Sequence, residues 1–402
     1  MCAAILRSHY GSVMSTPKGA KAYIVAARRS ALGRVGGLHR NRRVEDLAAP
    51  VIAAALADAR IEPAEIEEVV IGNASQGGNP ARLIALAAGL PLSAPALTID
   101  RQCGSGLDAL LHAVRVIDRG EAEIIVAGGV ESLSTAPWRI AKPKSVYQVP
   151  HFIGIEPPIG GSSDVPQPLL ASEQLAQRHQ ISRAAQDAFA MKSHLRAETA
   201  REARRFLGEI VPFRSSREEM RDESAIGASL EDIEAETAYC PPDGTLTPAN
   251  TAQPHDAAAI AVVVSEAVWK RLGRPPALCL LASVAAGVLP ELEAEAPIAA
   301  MGKLYQRLNG FDRSSVRAVE LGETSAAQAI AVMSSLGIDD GVVNAEGGAL
   351  VRGHALGASG AVLVVRLFTR LLRRNGATRE GRGAVTLGAV GGLGLAAMFE
   401  AV

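Results

Sequence analysis

The sequence predicts an α/β fold built from two similar halves. Short apolar, β-rich runs alternate with longer Ala-rich amphipathic stretches. A Gly-containing turn also opens a long helix twice, at Gly104 and again at Gly357, and each half then closes with strand-like runs. The repeat reads as a duplicated α/β unit. At 402 residues the chain holds two to three lengths of about 150 residues. A large core is within its reach without staples.

In chain order, residues 1–20 contain no acid and no long apolar segment of signal-peptide type. They read as a flexible extension, with an organellar transit peptide as the alternative. Residues 21–272 form the first half and 276–402 the second. Strands are expected at Ala22–Ala27, Glu68–Gly72, Glu123–Gly129, Ala259–Ser265, Leu278–Val284, Gly341–Asn344, Ala384–Gly388 and Leu395–Glu400. Helices are expected at Val44–Ala59, Gly104–Ile117 and Gly357–Arg373. The stretch from about 136 to 245 breaks the rhythm. A Pro- and Gly-rich segment precedes a polar helical one, Ser172–Glu202, and an acidic loop, Arg217–Glu236. It reads as a surface insertion on the first half, its acids forming a solvated face.

Composition narrows the function. Lys and Arg number 41 against 42 Asp and Glu, so no global basic field exists to hold nucleic acid or an anionic membrane. Aromatics at 3% argue against base stacking on single strands. No apolar run reaches the roughly 18–20 residues of a membrane span. Cys2, Cys103, Cys240 and Cys279 are scattered, with no CxxC pair. That pattern disfavours a structural zinc site and a disulfide framework, implies no metal, and suits a reducing, cytoplasmic setting.

Three stretches carry chemistry. Asp100-Arg101-Gln102-Cys103-Gly104-Ser105-Gly106 places a cysteine between a strand-like run and a helix. A helix N-terminus offers N–H groups and a positive dipole end, which favour a reactive thiolate. The plainer reading is a small buried cysteine. Gly353-His354-Ala355-Leu356-Gly357 puts a histidine ahead of a second helix, as a base for that thiol or as a structural turn residue. Gly388-Ala389-Val390-Gly391-Gly392 lies between two strands. It can present backbone N–H groups to an oxyanion, or simply turn a hairpin. It lacks the spacing of a dinucleotide fingerprint.

Together and in order, these stretches resemble the thiolase family over about Tyr23 to Glu400. Arg29-Ser30-Ala31-Leu32-Gly33 is similar to the family's RTPxG. Gly72-Asn73 and Gln76-Gly77-Gly78-Asn79-Pro80-Ala81-Arg82 are similar to GNVLQxGxGQNPAR. Cys103-Gly104-Ser105-Gly106 matches C-[AG]-S-G, Gly128-Gly129-Val130-Glu131-Ser132-Leu133-Ser134 parallels GGxESMS, and Gly353–Gly360 is close to GHPxGASG. The resemblance implies a five-layer αβαβα fold with an inserted loop domain that binds coenzyme A. It implies Cys103 as nucleophile toward an acyl-CoA and His354 as its activator. The oxyanion hole would use backbone at Cys103 and Val390. A CoA thioester is then the substrate, no cofactor is tightly bound, and a homodimer is expected, with a tetramer as the alternative.

The departures from the family pattern are specific. Its second reactive cysteine aligns with Gly388, and the asparagine of its NEAF stretch with Gly322. A serine near the pantetheine aligns with Ala252. His255 is a candidate substitute acid/base, and Glu323 stands where the NEAF glutamate stands, in a structural role beside the site. Acyl-enzyme formation therefore has its parts, whereas proton transfer at the carbon next to the carbonyl lacks its usual group. Three functions follow. The first is an acyltransferase that makes or cleaves 3-oxoacyl-CoA. The second passes the acyl group to another acceptor, or to water. The third is a silent partner subunit that binds CoA esters.

Overall fold

The computed structural model describes residues 21–154, 167–213, 220–223, 229–240, 242–374 and 381–402. The expected N-terminal extension, residues 1–20, lies outside them, as does much of the Pro- and Gly-rich segment. The first half runs β1 (Ala22–Arg29), β2 (Gly33–Arg34), α1 (Val44–Ala59), β3 (Glu68–Gly72), α2 (Pro80–Ala87), β4 (Ala96–Ile99), α3 (Ser105–Asp118) and β5 (Ile124–Glu131). A small hairpin, β6 (Arg139–Ile140) with β7 (Phe152–Ile153), and helices α4 (Gln167–Arg178), α5 (Arg183–Glu202) and α6 (Leu230–Ala235) follow. Then come β8 (His255–Ser265) and α7 (Glu266–Arg271). The second half runs β9 (Leu278–Gly287), α8 (Ala296–Arg307), β10 (Val316–Gly322), α9 (Ala326–Leu336), α10 (Ala349–Arg352), α11 (Leu356–Phe368), β11 (Arg382–Ala389) and β12 (Leu393–Ala401).

The halves share one strand order. Strands β3, β5, β8 and β1 lie side by side in the first, and β10, β11, β12 and β9 in the second. Directions match as well. The pairs β3–β5 and β10–β11 are parallel, and each later pair is antiparallel. Strand β4 extends the first sheet as a parallel edge beside β3. The two sheets meet where β1 pairs with β9, at Tyr23–Cys279 and Ile24–Leu278.

Five layers result. Helices α1 and α2 cover the outer face of the first sheet, and α8 and α9 that of the second. Helices α3 and α11 fill the space between, in one apolar core with residues of both sheets. This placement explains α11, which is buried at every position from Gly357 to Phe368: a helix between two sheets has no polar face to show. Strand β8 is likewise buried along its whole length, because helices cover both of its faces. Helix α1 runs on through Pro50, held by a buried face that includes Leu47, Val51, Ile52 and Leu56.

Two expectations change. Gly341–Asn344 is not a strand; it meets β10 at an isolated bridge, Val319–Val343, and through the Asn344 side chain, which exchanges hydrogen bonds with Leu321. The strand is β10 itself, Val-Arg-Ala-Val-Glu-Leu-Gly, whose charged residues hide the pattern. Glu320 points inward because Arg370 meets it at 2.9 Å. The acidic loop is also not wholly a solvated face. Asp222 pairs with the fully buried Arg29 at 2.5 Å, and Glu223 accepts the backbone N–H of Arg34 and of Leu38. The described insertion helices α4 and α5 pack on α9, and α5 also on α10, so the insertion rests on the second half.

A buried ionic lock joins these parts. Glu209 of the insertion bonds Arg29 of β1 at 2.6 Å and also Arg366 of α11, which in turn bonds Glu346. Burial opposes the ionised Glu209, but Arg366 and Arg29 outweigh it and hold its pKa down to about 2. A depressed carboxylate contributes stability that is present above its ordinary 4.5 and is lost as pH falls toward 2. Glu209→Gln leaves two buried guanidinium groups short of a charge. It is expected to cost about 3–5 kcal/mol, read by thermal unfolding at pH 7. A melting temperature equal to wild type would contradict this reading of the lock.

Candidate active site

Cys103 sits at the strand-to-helix turn between β4 and α3. Gln102 before it has φ 50°, a left-handed conformation rare outside glycine, and Gly104 after it begins the helix. The turn is tied at several points. Gly104 N–H donates to the Arg101 carbonyl at 3.1 Å and Ser105 N–H to the Gln102 carbonyl at 3.0 Å. Arg101 N–H donates to Ser105 Oγ at 2.7 Å. Cys103 itself is buried, and neither it nor Cys240 or Cys279 forms a disulfide.

His354 occupies the matching turn between α10 and α11. Its N–H donates to the Gln253 carbonyl at 2.8 Å, and its carbonyl accepts from His255 N–H at 2.9 Å. Its Nδ1 faces Ser359 Oγ, one turn along in α11, at 3.0 Å. Part of the residue stays open to solvent. Even so, burial, helped by the nearby His255, pushes its pKa down to about 4. The imidazole is therefore neutral over the whole physiological range. For a base, such a shift contributes stability present above the ordinary 6.5 and fading as pH falls toward 4.

The packing of α3 on α11 brings the two turns to one place. A Cβ on Gly106 would lie 2.7 Å from the Gly357 carbonyl, so the two helix N-termini touch without side chains between them. The hairpin β11–β12 closes a third side. A Cβ on Gly104 would lie 2.6 Å from Leu395 Cδ1, and Leu395 follows the register pair Gly388–Gly394. Val390 is buried at the start of the turn, before Gly391 and Gly392 at φ 93° and 76°. Gly391 N–H donates to Glu293 Oε2 at 2.8 Å, which fixes the turn.

Two glycines replace expected side chains, and their surroundings differ. Gly388 has room: a Cβ there meets Gln328 Nε2 at 3.4 Å and the Glu293 carbonyl at 3.5 Å, both ordinary contacts. Gly322, at the end of β10, does not. A Cβ there would sit 2.6 Å from Leu387 Cβ. Ala252 lies on a loop stitched to both sides of the site. Its N–H donates to the Thr324 carbonyl at 3.0 Å, and Pro254 bridges to His354.

The two accessory candidates face backbone. His255 is fully buried, with Nδ1 2.9 Å from the Gln253 carbonyl and Nε2 3.3 Å from the Glu223 carbonyl. Both nitrogens are engaged, and a neutral ring can donate from only one of them. Its ring packs against Gly353, behind the His354 turn, where a Cβ would collide with it at 1.9 Å. Glu323 accepts from Asn344 Nδ2 at 2.6 Å and from Leu350 N–H at 3.1 Å, which pins the start of α10. Burial raises its pKa.

Glu131 was quoted above only as part of a motif, yet it organises this centre. It accepts from the N–H of Gly357 at 2.9 Å and of Ala74 at 3.1 Å, and from the Ser75 hydroxyl. One carboxylate thus joins the N-terminus of α11 to the loop after β3. Burial lifts its pKa to about 7 although its neighbours donate to it. Ser359 and Gln253, which hold His354, were also not singled out from sequence. Ser359 could have been, as the hydroxyl five residues on at the first turn of the helix.

No group of three or more potential metal ligands occurs among the described residues, and no described helix is long and apolar enough to cross a membrane. Comparison with known proteins agrees with this architecture. The thiolase N-terminal domain matches residues 22–267 and the thiolase C-terminal domain residues 275–401. An acetyl-CoA acetyltransferase of Cupriavidus necator is 35% identical over 391 residues, covering 94% of this chain and 98% of that protein. A beta-ketoadipyl-CoA thiolase of Pseudomonas putida is 36% identical, covering 93% and 98%. The crystal structure of the Bacillus anthracis acetyl-CoA acetyltransferase superposes with a TM-score of 0.88 at 31% identity, over 96% of this chain and 100% of that one. With five layers, two matched halves and both domain matches spanning the fold, the chain belongs to the thiolase family of acyltransferases.

Proposed function

We propose that the chain transfers acyl groups from CoA thioesters through a covalent thioester on Cys103, and so makes or cleaves 3-oxoacyl-CoA. The observation that carries this reading is the meeting of the Cys103 and His354 turns at abutting helix ends. With Nδ1–H donating to Ser359 Oγ, His354 Nε2 holds the lone pair that takes the Cys103 proton. Sγ then attacks the thioester carbon, and backbone N–H groups of Cys103 and Val390 receive the oxyanion. As the bond to CoA breaks, the His354 imidazolium returns the proton to the departing sulfur. The loop carrying Ala252 would line the path of the CoA arm. No step needs a tightly bound cofactor.

Gly388 favours a second reading. Carbon–carbon bond formation or cleavage needs a proton carrier beside the α-carbon, and Gly388 has no side chain. Under that reading the acyl group passes from Cys103 to another acceptor, or to water. Intact-protein mass spectrometry after mixing with a panel of acyl-CoAs tests the shared first step. An adduct on Cys103 supports both readings. Neither an adduct nor released CoA with any donor would leave a silent binding subunit.

The depressed His354 pKa adds a pH test. The pre-steady-state acylation rate is expected to lack an inflection near 6.5 and to fall only toward about pH 4. A break at 6.5 that disappears in His354→Gln would show an ordinary imidazole instead. We also propose a homodimer. Its support is the edge strand β4, where Leu97 is exposed beside Leu83, Leu86 and Leu92.

A further inference from the structure

One large cavity has neither Cys103 nor His354 in its lining. It measures about 1130 Å³ and opens between β2, α5, the segment after α5 and α10. We infer that this cavity binds a small anion carrying a phosphate or carboxylate group, at a site separate from the acyl-transfer centre. Among the described residues five arginines line it, including Arg352, Arg201, Arg204 and Arg221. Two acids in its wall are engaged elsewhere: Asp222 bonds Arg29 and Glu223 accepts backbone N–H groups, while Glu198 pairs with Arg201 and leaves the other four arginines.

Two groups at its floor lack what a buried polar group needs. Arg352 is 4% exposed, yet among the described residues its nearest paired carboxylate oxygen, on Glu320, stands at 3.9 Å, and its guanidinium otherwise meets the Glu346 carbonyl at 3.4 Å. The other Glu320 oxygen is taken by Arg370 at 2.9 Å. Burial and the charge of Arg366 push Arg352 down to about 10, a sign of a guanidinium short of counter-charge. His194 is 5% exposed and lines the same cavity, and its Nε2 has no hydrogen-bond partner among the described residues.

An oxyanion bound in the cavity would supply the partner that each lacks. Guanidinium matches phosphate and carboxylate oxygens in bidentate geometry. The exposed Arg204 and Arg221 at the rim would draw an anion inward. The volume suits a small organic molecule rather than a bare ion.

Calorimetric titration of the full chain at low ionic strength tests this, with inorganic phosphate, citrate and CoA in separate runs. At least one of phosphate and citrate is expected to bind saturably at one site per chain and to raise the melting temperature. Arg352→Met removes an under-paired buried charge and keeps the packing length. It is expected to fold and to weaken that binding at least tenfold. The double variant Arg204→Ala/Arg221→Ala changes only exposed side chains and is expected to weaken it severalfold. Displacement of bound phosphate by CoA, lost in Arg352→Met, would support the site and identify CoA phosphate as the source. No saturable binding of phosphate or citrate, or equal affinity in wild type and both variants, would overturn the inference.

Discussion

Cys103→Ala is expected to abolish the acyl adduct and to lower turnover of CoA thioesters by about 10⁴-fold or more, as removal of a covalent nucleophile commonly does. The fold should survive the change. Cys103 is small and buried, and the ties of its turn run through the backbone and side chains of Arg101, Gln102, Gly104 and Ser105. Steady-state release of CoA, with circular dichroism as the folding control, checks both halves of the statement. A variant that kept an adduct, or more than a few per cent of activity, would move the nucleophile elsewhere. With circular dichroism showing an unchanged fold, a loss of rate would belong to chemistry.

Gly388→Cys is expected to act in the opposite direction. Under the proposed function, adding a thiol where the resemblance puts the family's second cysteine should raise thiolysis of a 3-oxoacyl-CoA by about 10²–10⁴-fold, the usual worth of a positioned acid/base. The site has room for it, since a Cβ at Gly388 meets nothing closer than 3.4 Å. The other absent group cannot be restored so simply. A side chain at Gly322 would strike Leu387 Cβ at 2.6 Å, and Gly322→Asn alone should destabilise by about 1–3 kcal/mol through overpacking. Coupled assay of CoA consumption decides the matter. An unchanged rate in a Gly388→Cys protein that still acylates Cys103 would favour transfer to a different acceptor.

Much of this was legible in the sequence because it rests on local signals. Cys103 and His354 each stand in a Gly-flanked turn ahead of an apolar helix, a pattern confined to a few neighbouring residues. The strand pattern likewise exposed seven of the eight runs expected. What stayed hidden depends on distant partners. β10 carries Arg317 and Glu320, and only the arrival of Arg370 from beyond α11 makes an inward glutamate acceptable. Asp222 looked like one acid in a solvated run until Arg29, almost two hundred residues away in sequence, came to meet it. Glu131 joins α11 to the loop after β3, which no spacing discloses. The room beside Gly388 and its lack beside Gly322 are properties of neighbours, not of the glycines.

The layer formed by α3 and α11 bears on how such a chain could arise. Each helix packs on its own sheet and against its counterpart, and α11 also packs on β5 and β8 of the first sheet. A single half, cut away, would expose a broad apolar surface on its helix and could hide it only against a second copy of itself. The shared strand order is what a pair of identical units would leave after fusion into one polypeptide. Tethering the two copies would have released each from the demand to be alike. One could then keep the nucleophile and the other the histidine, and a single asymmetric pocket could replace two symmetric ones.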